Sequence, residues 1–292
     1  MSMQAAPPDQ ELQVVVVAYG DTTTLRACLD ALDGSYKTTV VDNSSNAETK
    51  LLVETLGLTY HDPGRNLGFA AGVNRALQLN AGITRDVLLL NPDAVVDVAG
   101  VEHLRDRLRS QRRLACVAPA QKGPNGSDRV AWPVPSPWGA WLEAFGLSAL
   151  NPKPVFLIGS VLLIKAEALA DVGLLDERFF LYAEETDWQI RAFAKGWSVE
   201  LVPDVQAFHV GAGTGGDRSV RLHHFHASEE LLVRKHYGPW GWLSYRAANL
   251  IGSALRAVIK TGSRRAEAIE RYRLFRDGPV RVRAKIGSNC AG

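Results

Sequence analysis

Residues 13–32 read QVVVVAYGDTTTLRACLDAL, and this stretch decides the fold. Its first part, Gln13 to Ala18, is a run of β-branched residues without alternation, which is typical of a strand buried on both faces. Leu25, Leu29 and Leu32 then recur at helical spacing. A buried strand followed directly by an amphipathic helix predicts one βα unit of a parallel sheet.

The alternation of strands and helices continues along the chain. Further strands are predicted at 38–42, 58–61, 86–91 and 114–120, with helices at 46–56, 69–79 and 98–109. This order predicts a parallel, doubly wound α/β sheet for residues 1–120. Residues 121–154 show no clear periodicity and predict long loops or a hairpin. A strand and a helix at 155–169, an acidic helix ending at Lys195, a strand at 197–203 and helices to the end follow.

Charge is distributed unevenly along the 292 residues, although the formal net charge is only +2. From Leu231 to the end there are 13 Lys or Arg and 3 Asp or Glu, whereas residues 1–230 carry 20 Lys or Arg and 28 Asp or Glu. A basic tail on an acidic body contacts an anionic partner, such as a membrane surface, nucleic acid or a lipid phosphate, or it packs on the body itself. We expect a body at 1–240, divided into halves at 12–120 and 121–240, and a tail at 241–292.

The tail contains one amphipathic helix. In WLSYRAANLIGSALRAVIK, at 242–260, one face carries Leu243, Ala247, Leu250, Ala254, Leu255 and Val258. Such a face packs on the rest of the protein or lies on an anionic bilayer.

Cysteine usage and hydropathy indicate the compartment. Cys28, Cys116 and Cys290 are far apart and match no metal-binding or disulfide spacing, which favours a reducing environment. The first dozen residues lack an apolar core, and no run of about 18 uncharged apolar residues occurs. We therefore expect a cytoplasmic protein without a secretory signal or a spanning helix, which contacts the inner face of the membrane peripherally if the tail binds lipid.

Several polar residues follow the predicted strands, at the sheet edge where open α/β folds bind ligands. They are Tyr19 to Asp21, Asp42 to Ser44, Arg65 and Asn66, and Asn91 to Asp93. Asp42 alone is explained equally well as a turn cap or as a ligand for a nucleotide.

The sequence has no GxGxxG after the first strand and no GxxxxGK[ST], so the two common backbone cradles for phosphate are missing. A divalent cation is the usual substitute, and it prefers carboxylate oxygens together with phosphate oxygens. Asp93, in LLLNPDAVV, follows a buried strand and is either a metal ligand or part of a plain turn. His209 lies at the end of a predicted strand, before a Gly-rich loop, and is either a structural histidine or a further metal ligand. His223, His224 and His226 lack tetrahedral spacing and indicate a surface or phosphate-contacting group.

A second unusual feature is FLYAEETDWQIR at 180–191, where three carboxylates follow aromatic residues. Acidic residues near a helix start are stabilised by the helix dipole, which is the ordinary explanation. The alternative is a proton-accepting site, because burial among Phe180, Tyr182 and Trp188 would raise the pKa of a carboxylate.

Six motifs in order make the chain resemble a known family: VVVVAYGDTTTLRACLDAL, VVDNSSNAET, GRNLGFAAGVNRAL, LLLNPDAVV, IGSVLLIKAEALADVGLLDERFFLYAEETDW and FHVGAGTG. Together they resemble the family 2 inverting glycosyltransferases of the GT-A fold, especially the rhamnosyltransferase-like branch. The resemblance covers roughly residues 12–240. It implies a GT-A doubly wound α/β sheet, to which this chain adds a C-terminal helical extension.

The resemblance implies a role for each matching position. Asp93 is the metal carboxylate of the DxD-like motif NPD, and His209 is a further ligand for Mg²⁺ or Mn²⁺. The nucleotide-sugar site comprises Ala18, Tyr19, Asp42, Asn43, Arg65, Asn66, Gly68, Asn74, Asn91 and Glu184. The catalytic base of the family falls on Glu185, with Asp187 as the other catalytic candidate.

The family has Asp where this chain has Glu185, which is a departure. Either Glu185 serves as the base with a compensating backbone shift, or Asp187 does, or the protein is catalytically weakened. The implied reaction is inverting transfer of a sugar, rhamnose from dTDP-rhamnose or a hexose from a UDP-sugar, to a glycan or glycolipid of the cell envelope. A sugar-1-phosphate nucleotidyltransferase and a degenerate nucleotide-sugar-binding scaffold are the alternatives. Nucleic acid is not an expected partner, because the tail matches no recognition module.

Overall fold

The computed structural model describes residues 12–79, 85–124, 126–151, 154–211 and 218–289. Its strands are β1 (Leu12–Ala18), β2 (Lys37–Asp42), β3 (Thr59–His61), β4 (Asp86–Leu90), β5 (Ala94–Val95), β6 (Leu114–Gly123), β7 (Gly126–Asp128), β8 (Ala131–Pro133), β9 (Val155–Leu157), β10 (Val161–Ile164) and β11 (Ser198–His209). Its helices are α1 (Thr22–Asp30), α2 (Ala47–Thr55), α3 (Phe69–Leu79), α4 (Val98–Ser110), α5 (Pro137–Ala144), α6 (Ala166–Val172), α7 (Glu184–Ala194), α8 (Arg218–Ile259), α9 (Gly262–Asp277) and α10 (Pro279–Asn289), with a 3₁₀ turn at Ser148–Leu150.

The central sheet of the described residues is mixed. Its strand order is β3-β2-β1-β4-β10-β6-β11-β5, with β7 beside β6. Strands β1 to β4 pair in parallel, but β10 lies antiparallel between β4 and β6. The expected α/β class is confirmed, whereas the expectation of a fully parallel sheet completed by residue 120 is wrong. Strand β10, VLLI, is buried on both faces, and such a run carries no signal of its direction or position in a sheet.

Strand β1 explains why the sheet carries helices on both faces. Its side chains alternate, so that Val14 and Val16 lie in one apolar cluster and Val15 and Val17 in another. Each cluster is completed by helices, and all seven residues of β1 are buried. The unbroken run of valines therefore reflects burial on both faces, as expected.

Residues 121–154 contain more regular structure than expected. Strand β6 continues to Gly123 and forms a hairpin with β7, and α5 follows at Pro137–Ala144. The side chain of Ser136 accepts a hydrogen bond from the amide of Gly139, and Pro137 occupies the first turn. The sequence SPWG thus carries a helix-start signal, but the helix is too short to show a clear period.

The described residues form two compact units. The first lies within 1–132, 156–180 and 184–215 and contains the central sheet; the second lies within 133–155, 181–183 and 216–292 and contains α5 and α8 to α10. The core of the second unit comprises Ala140, Val233, Trp242, Tyr245, Ala248 and Phe275. The domain limits expected from the sequence stay predictions. No helix in the described part of the chain has the length and apolar character needed to cross a membrane.

The GRNLG loop before α3 is fixed by a close backbone approach. Gly68 has a φ of +79°, and the amide of Phe69 donates to the carbonyl oxygen of Phe180 at 2.8 Å. A Cβ on Gly68 would clash with that carbonyl and lie 2.8 Å from Cδ2 of the Phe180 ring. Gly64, in the same loop, has a φ of +71° but nothing within 4 Å of a Cβ.

These two glycines allow a matched test of the loop. Gly64→Ala adds only the cost of a left-handed backbone, about 1 kcal/mol. Gly68→Ala adds a steric clash, and we expect it to lower the free energy of unfolding by a further 1–3 kcal/mol or so. Urea denaturation followed by tryptophan fluorescence measures both. Equal losses in the two variants would show that the contact with Phe180 does not constrain the loop.

Candidate active site

The NPD segment is a tight turn that also presents a carboxylate. The amide of Ala94 donates to the carbonyl of Asn91 at 3.0 Å, which closes the turn between β4 and β5. Asp93 is 3% exposed. Strand β5 pairs with β11 so that Ala94 lies opposite His209, and Nε2 of His209 is 3.3 Å from Oδ1 of Asp93. The turn and the ligand interpretations of this segment are therefore compatible.

Asp93 and His209 provide two donors for a divalent cation. Among the described residues, no group of three or more His, Cys, Asp or Glu side chains is arranged to hold a metal. Mg²⁺ and related cations are commonly held by one or two protein groups, with substrate phosphates and waters as the remaining ligands. The pair fits a cation that is bound together with a diphosphate, and it does not fit a closed structural site.

Glu184 and Glu185 begin α7 and differ in their surroundings. Oε2 of each is buried and has no hydrogen-bond partner among the described residues. Burial raises the pKa of Glu185 to about 6, although the amides of Glu185, Thr186 and Gly159 act in the opposite direction. Burial, and then the charge of Glu185, raise the pKa of Glu184 well above its usual range. Glu184 and Glu185 therefore begin a helix, and their carboxylates also have an increased proton affinity.

The next turn of α7 anchors the helix to the body. Oδ2 of Asp187 accepts from Nε of Arg191 at 3.0 Å, and Asp187 is fully buried. The same guanidinium donates to the carbonyls of Val172 and Leu174 at 2.8 Å. Asp187 thus belongs to a structural ion pair that fixes the end of α6.

Two further residues of α7 have anchoring contacts. The indole of Trp188 is fully buried and donates to the carbonyl of Gly173 at 2.8 Å. The amide group of Gln189 pairs with both backbone groups of Leu157, at 2.8 and 2.7 Å. These contacts hold α7 against the segments at Gly173 and Leu157.

The segment 158–160, which we call the bridging loop, joins the two groups of candidate residues. Gly159 lies against Glu185: its amide helps to lower the pKa of that carboxyl, and a Cβ at Gly159 would lie 3.5 Å from the Glu185 side chain. The carbonyl of the next residue, Ser160, accepts from the amide of Asn91 at 2.8 Å. Glu185 and the NPD turn are therefore linked through two consecutive residues.

Gly159, Ser160 and Gln121 were missed by the sequence analysis. The hydroxyl of Ser160 donates to Oε1 of Gln121 at 2.9 Å, which fixes the bridging loop to the end of β6. A Gly-Ser pair between two apolar runs is a weak sign of a functional turn, and it was the only local signal.

The candidate nucleotide residues near β1 and β2 meet at one edge of the sheet. The amide of Asn43 donates to the carbonyl of Ala18 at 2.9 Å. The side chain of Asn43 donates to the carbonyl of Gly68 at 3.0 Å, and Oδ1 of Asn66 accepts from the amide of Gly68 at 2.9 Å. Tyr19 is 44% exposed beside them. Arg65 and Asn66 are also exposed, so Tyr19, Arg65 and Asn66 are the side chains available to a ligand here.

Asp42 serves as a turn cap in the structure. Its carboxylate accepts from the amide and hydroxyl of Ser44, the amide of Asn46 and the hydroxyl of Tyr60, at 2.6 to 3.0 Å. These bonds occupy the acceptor positions of a fully buried carboxylate. The geometry favours the turn-cap interpretation, and the nucleotide role of Asp42 stays a prediction.

Asn74 lies apart from both groups of site residues. Its side chain donates to the carbonyl of Leu175 and to Glu177, each at 2.9 Å, and accepts from the amide of Leu175. It therefore fixes the segment that follows α6, as the Asp187–Arg191 pair does. Its assignment to the nucleotide-sugar site has no contact in support.

The histidine cluster on α8 separates into two kinds of residue. His226 is buried, and its Nδ1 is 2.9 Å from Oε2 of Glu229. The other carboxylate oxygen of Glu229, Oε1, accepts from the hydroxyl of Tyr245. His226 is therefore part of the polar core of the second unit. Burial, followed by Arg283 and His223, lowers the pKa of His224. A phosphate contact at His223 or His224 stays a prediction.

Comparison with known proteins gives two kinds of relative. The chain is 29% identical over 231 residues to an N-acetylglucosaminyl-diphospho-decaprenol L-rhamnosyltransferase of Mycobacterium tuberculosis, which covers 66% of this chain and 75% of that protein. It is 26% identical over 211 residues to the low-salt glycan biosynthesis hexosyltransferase Agl10 of Haloferax volcanii, covering 68% of this chain and 67% of that protein. No family model matches the chain.

Solved structures with the same fold include two enzymes determined with a metal. The mannosyltransferase of Pyrobaculum calidifontis, in complex with GDP-Man and Mn²⁺, has a TM-score of 0.54 and 16% identity, over 95% of this chain and 84% of that one. Glucosyl-3-phosphoglycerate synthase of Mycobacterium tuberculosis, in complex with Mn²⁺ and UDP, has a TM-score of 0.53 and 16% identity, over 76% of this chain and 77% of that one. The expected GT-A fold, the rhamnosyltransferase-like resemblance and the glycosyltransferase class are confirmed.

Substitutions of Asp187 and Glu185 on α7 should change the free energy of unfolding differently. Asp187→Asn breaks a buried ion pair, and because Arg191 is 25% exposed we expect a loss on the order of 2 kcal/mol. Glu185→Gln removes a carboxylate that burial disfavours, so the free energy of unfolding at pH 7 should stay the same or rise. Urea denaturation of both variants tests this. A fully stable Asp187→Asn, or a Glu185→Gln variant that is equally damaged, would contradict the structural role given to Asp187.

Proposed function

We propose that this glycosyltransferase moves a sugar, with inversion, from a nucleoside-diphosphate donor to a lipid-linked glycan acceptor, and that it requires a divalent cation. The observation that carries the proposal is the bridging loop. It connects a buried carboxylate of raised proton affinity, Glu185, with the Asp93–His209 pair through consecutive backbone contacts. A base for the acceptor and a holder for the leaving group are what a single displacement needs.

Asp93 and His209 would hold Mg²⁺ or Mn²⁺ together with the donor diphosphate. The cation, when bound, supplies Lewis acidity that stabilises the negative charge of the departing nucleoside diphosphate. Asp93 is buried and fixed by its turn, so its carboxylate needs little reorganisation to bind. The solved enzymes with Mn²⁺ support a cation, and they do not distinguish Mg²⁺ from Mn²⁺.

Glu185 takes the proton of the acceptor hydroxyl. A base is most effective when its pKa lies near the working pH, and a pKa of about 6 leaves Glu185 ionised at pH 7 yet more basic than a free carboxylate. Burial and the charge of Glu185 also raise the pKa of the neighbouring Glu184. The sugar passes directly to the acceptor, so no second carboxylate has to act as a nucleophile.

The structure offers a reason why Glu replaces the family's Asp. Gly159 presents only backbone beside the Glu185 side chain, and a Cβ there would already be in contact at 3.5 Å. The Glu185 side chain thus reaches the backbone at Gly159. Glu185 as a working base is favoured over Asp187, whose carboxylate is paired with Arg191.

The donor and acceptor are proposed from the relatives. The names of the rhamnosyltransferase and the hexosyltransferase support rhamnose or a hexose as the sugar, which we propose is carried as dTDP-rhamnose or a UDP-hexose. The name of the former supports an acceptor on a polyprenyl diphosphate. Such an acceptor lies at a membrane, so we place the enzyme in the cytoplasm, peripherally on the inner face of the cytoplasmic membrane, in synthesis of a cell-envelope polysaccharide. Nucleic acid is not a proposed partner.

The main alternative is a degenerate scaffold that binds a nucleotide sugar without turnover, and only Glu185 in place of Asp favours it. Measured transfer of the sugar would establish the enzyme and exclude the scaffold. A nucleotidyltransferase is less well supported, because AYGDTTTL after β1 has no lysine and no glycine cluster to bind a triphosphate.

Glu185→Gln tests the proposed base. We expect kcat to fall by about 10²- to 10⁴-fold while the donor still binds, because only proton removal is lost. In the wild type, kcat/KM should rise with pH and reach half its plateau near pH 6, because the base must be deprotonated. In Glu185→Gln, kcat/KM should no longer depend on pH in this range. Transfer rates, pH profiles and donor binding by thermal shift provide the measurements.

Glu184→Gln is the matched control for this experiment. Gln has the shape of Glu, and this change leaves the carboxylate of Glu185 in place, so we expect turnover to fall by less than about tenfold. Turnover of Glu185→Gln within a few-fold of the wild type, or a larger loss in Glu184→Gln, would remove Glu185 from the mechanism.

A further inference from the structure

Helix α8 is divided by a break, and its second part is the feature of interest. Gly238 has a φ of 67° and Pro239 begins a new helical segment that runs to Ile259. At 1.5 Å per residue, this segment is about 30 Å long. Its buried side carries Trp242, Tyr245 and Ala248, which are at most 4% exposed and belong to the core with Phe275.

The opposite side of the same segment is apolar and exposed. It carries the residues that we call the α8 stripe: Trp240 (81% exposed), Leu243 (49%), Ile251 (42%), Leu255 (41%) and Val258 (85%). Their spacing of three, eight, four and three residues keeps them on one face of a helix. Leu243, Leu255 and Val258 also belong to the apolar face expected from the sequence, and each is at least 41% exposed among the described residues.

Two more exposed aromatic side chains lie on or next to α5. Helix α5 packs along α8, since Nε1 of Trp141 donates to the hydroxyl of Ser244 at 3.1 Å. On α5, Trp138 is 60% exposed, and Phe145, which follows the helix, is 59% exposed. Tryptophan is enriched where a protein meets the interface of a bilayer.

The charge around the stripe indicates what covers it. Between residues 231 and 266 there is no Asp or Glu, whereas seven Lys or Arg occur. Lys260, Arg264 and Arg265 follow the stripe directly and are exposed. An apolar face followed by exposed cations is complementary to anionic lipid, and Glu143 of α5, an acidic residue beside this segment, is paired with Arg256 at 3.6 Å and with Arg271 at 3.1 Å. A second copy of the chain would bring the same positive charge to the contact and would be repelled.

We propose that the α8 stripe is a docking surface for an anionic lipid bilayer, with residues 239–259 lying in the plane of the interface. Trp240 and Val258, the most exposed members, enter the boundary between headgroups and acyl chains, and Lys260, Arg264 and Arg265 contact the lipid phosphates. The choice of a bilayer rests in part on the proposed lipid-linked acceptor, because an enzyme with such a substrate works at a membrane surface.

Vesicle co-sedimentation of the full chain, without donor or metal, tests the surface. The wild type should sediment with vesicles of phosphatidylcholine and phosphatidylglycerol at low salt, and much less with phosphatidylcholine alone. Trp240→Ser/Val258→Ser should weaken binding to anionic vesicles at least tenfold, because it removes two apolar anchors. Arg264→Gln/Arg265→Gln should reduce the preference for anionic lipid. Leu51→Ser, at a residue that is 67% exposed on α2, is the matched control and should bind like the wild type.

Transfer to a soluble acceptor analogue separates this inference from the proposed function. We expect the stripe variants to keep that activity and their thermal stability while losing vesicle binding. Wild-type protein that stays in the supernatant with anionic vesicles, or a Trp240→Ser/Val258→Ser variant that binds like the wild type, would overturn the proposal. Sedimentation velocity provides the third check. If the wild type is a dimer and Trp240→Ser/Val258→Ser is a monomer, a second copy of the chain covers the stripe and the proposal is overturned.

Discussion

The contacts of the bridging loop are the constraint on which the rest of the site depends. The carbonyl of Ser160 accepts from the amide of Asn91, and Gly159 lies against the side chain of Glu185, so one short segment contacts both the NPD turn and the first turn of α7. The loop lies where it does because β10 runs antiparallel beside β4 and brings its N-terminal end to the C-terminal end of that strand. The antiparallel insertion, which departs from a simple doubly wound sheet, is therefore what assembles the site.

Several site residues hold the backbone and present a reactive group at the same time. Asp93 lies inside the turn that Ala94 and Asn91 close, and its side chain faces His209. The start of α7 receives amide hydrogen bonds at Glu185, which partly offset the burial that raises its pKa. Anchoring of α7 through Asp187, Trp188 and Gln189 allows two poorly solvated carboxylates to persist at its beginning, because the cost of their burial is balanced elsewhere in the fold.

Local signals explain which features the sequence could predict. The valine run of β1 and the NPD turn depend on neighbouring residues: the run predicted a strand buried on both faces, and a turn was one of the two interpretations of NPD. The position of β10, the roles of Gly159 and Ser160 and the pairing of Asp187 with Arg191 depend on contacts between distant segments, which a periodic pattern does not encode. Asp42 and Asn74 show the same limit, because a buried polar residue after a strand has the same sequence signal whether it binds backbone or ligand. The α8 stripe is a similar case: its period was visible, but only burial showed which face is covered.

The central claim is that a cation at Asp93 and a base at Glu185 act on opposite sides of one donor sugar. Diffraction at the manganese absorption edge, from crystals grown with Mn²⁺ and an intact nucleoside-diphosphate sugar, tests it most directly. The account predicts an anomalous peak about 2.0–2.3 Å from the carboxylate of Asp93, bound also by the diphosphate. It also predicts that the carboxylate of Glu185 lies across the anomeric carbon from that diphosphate. A peak remote from Asp93, or a Glu185 carboxylate on the same side as the leaving group, would contradict it.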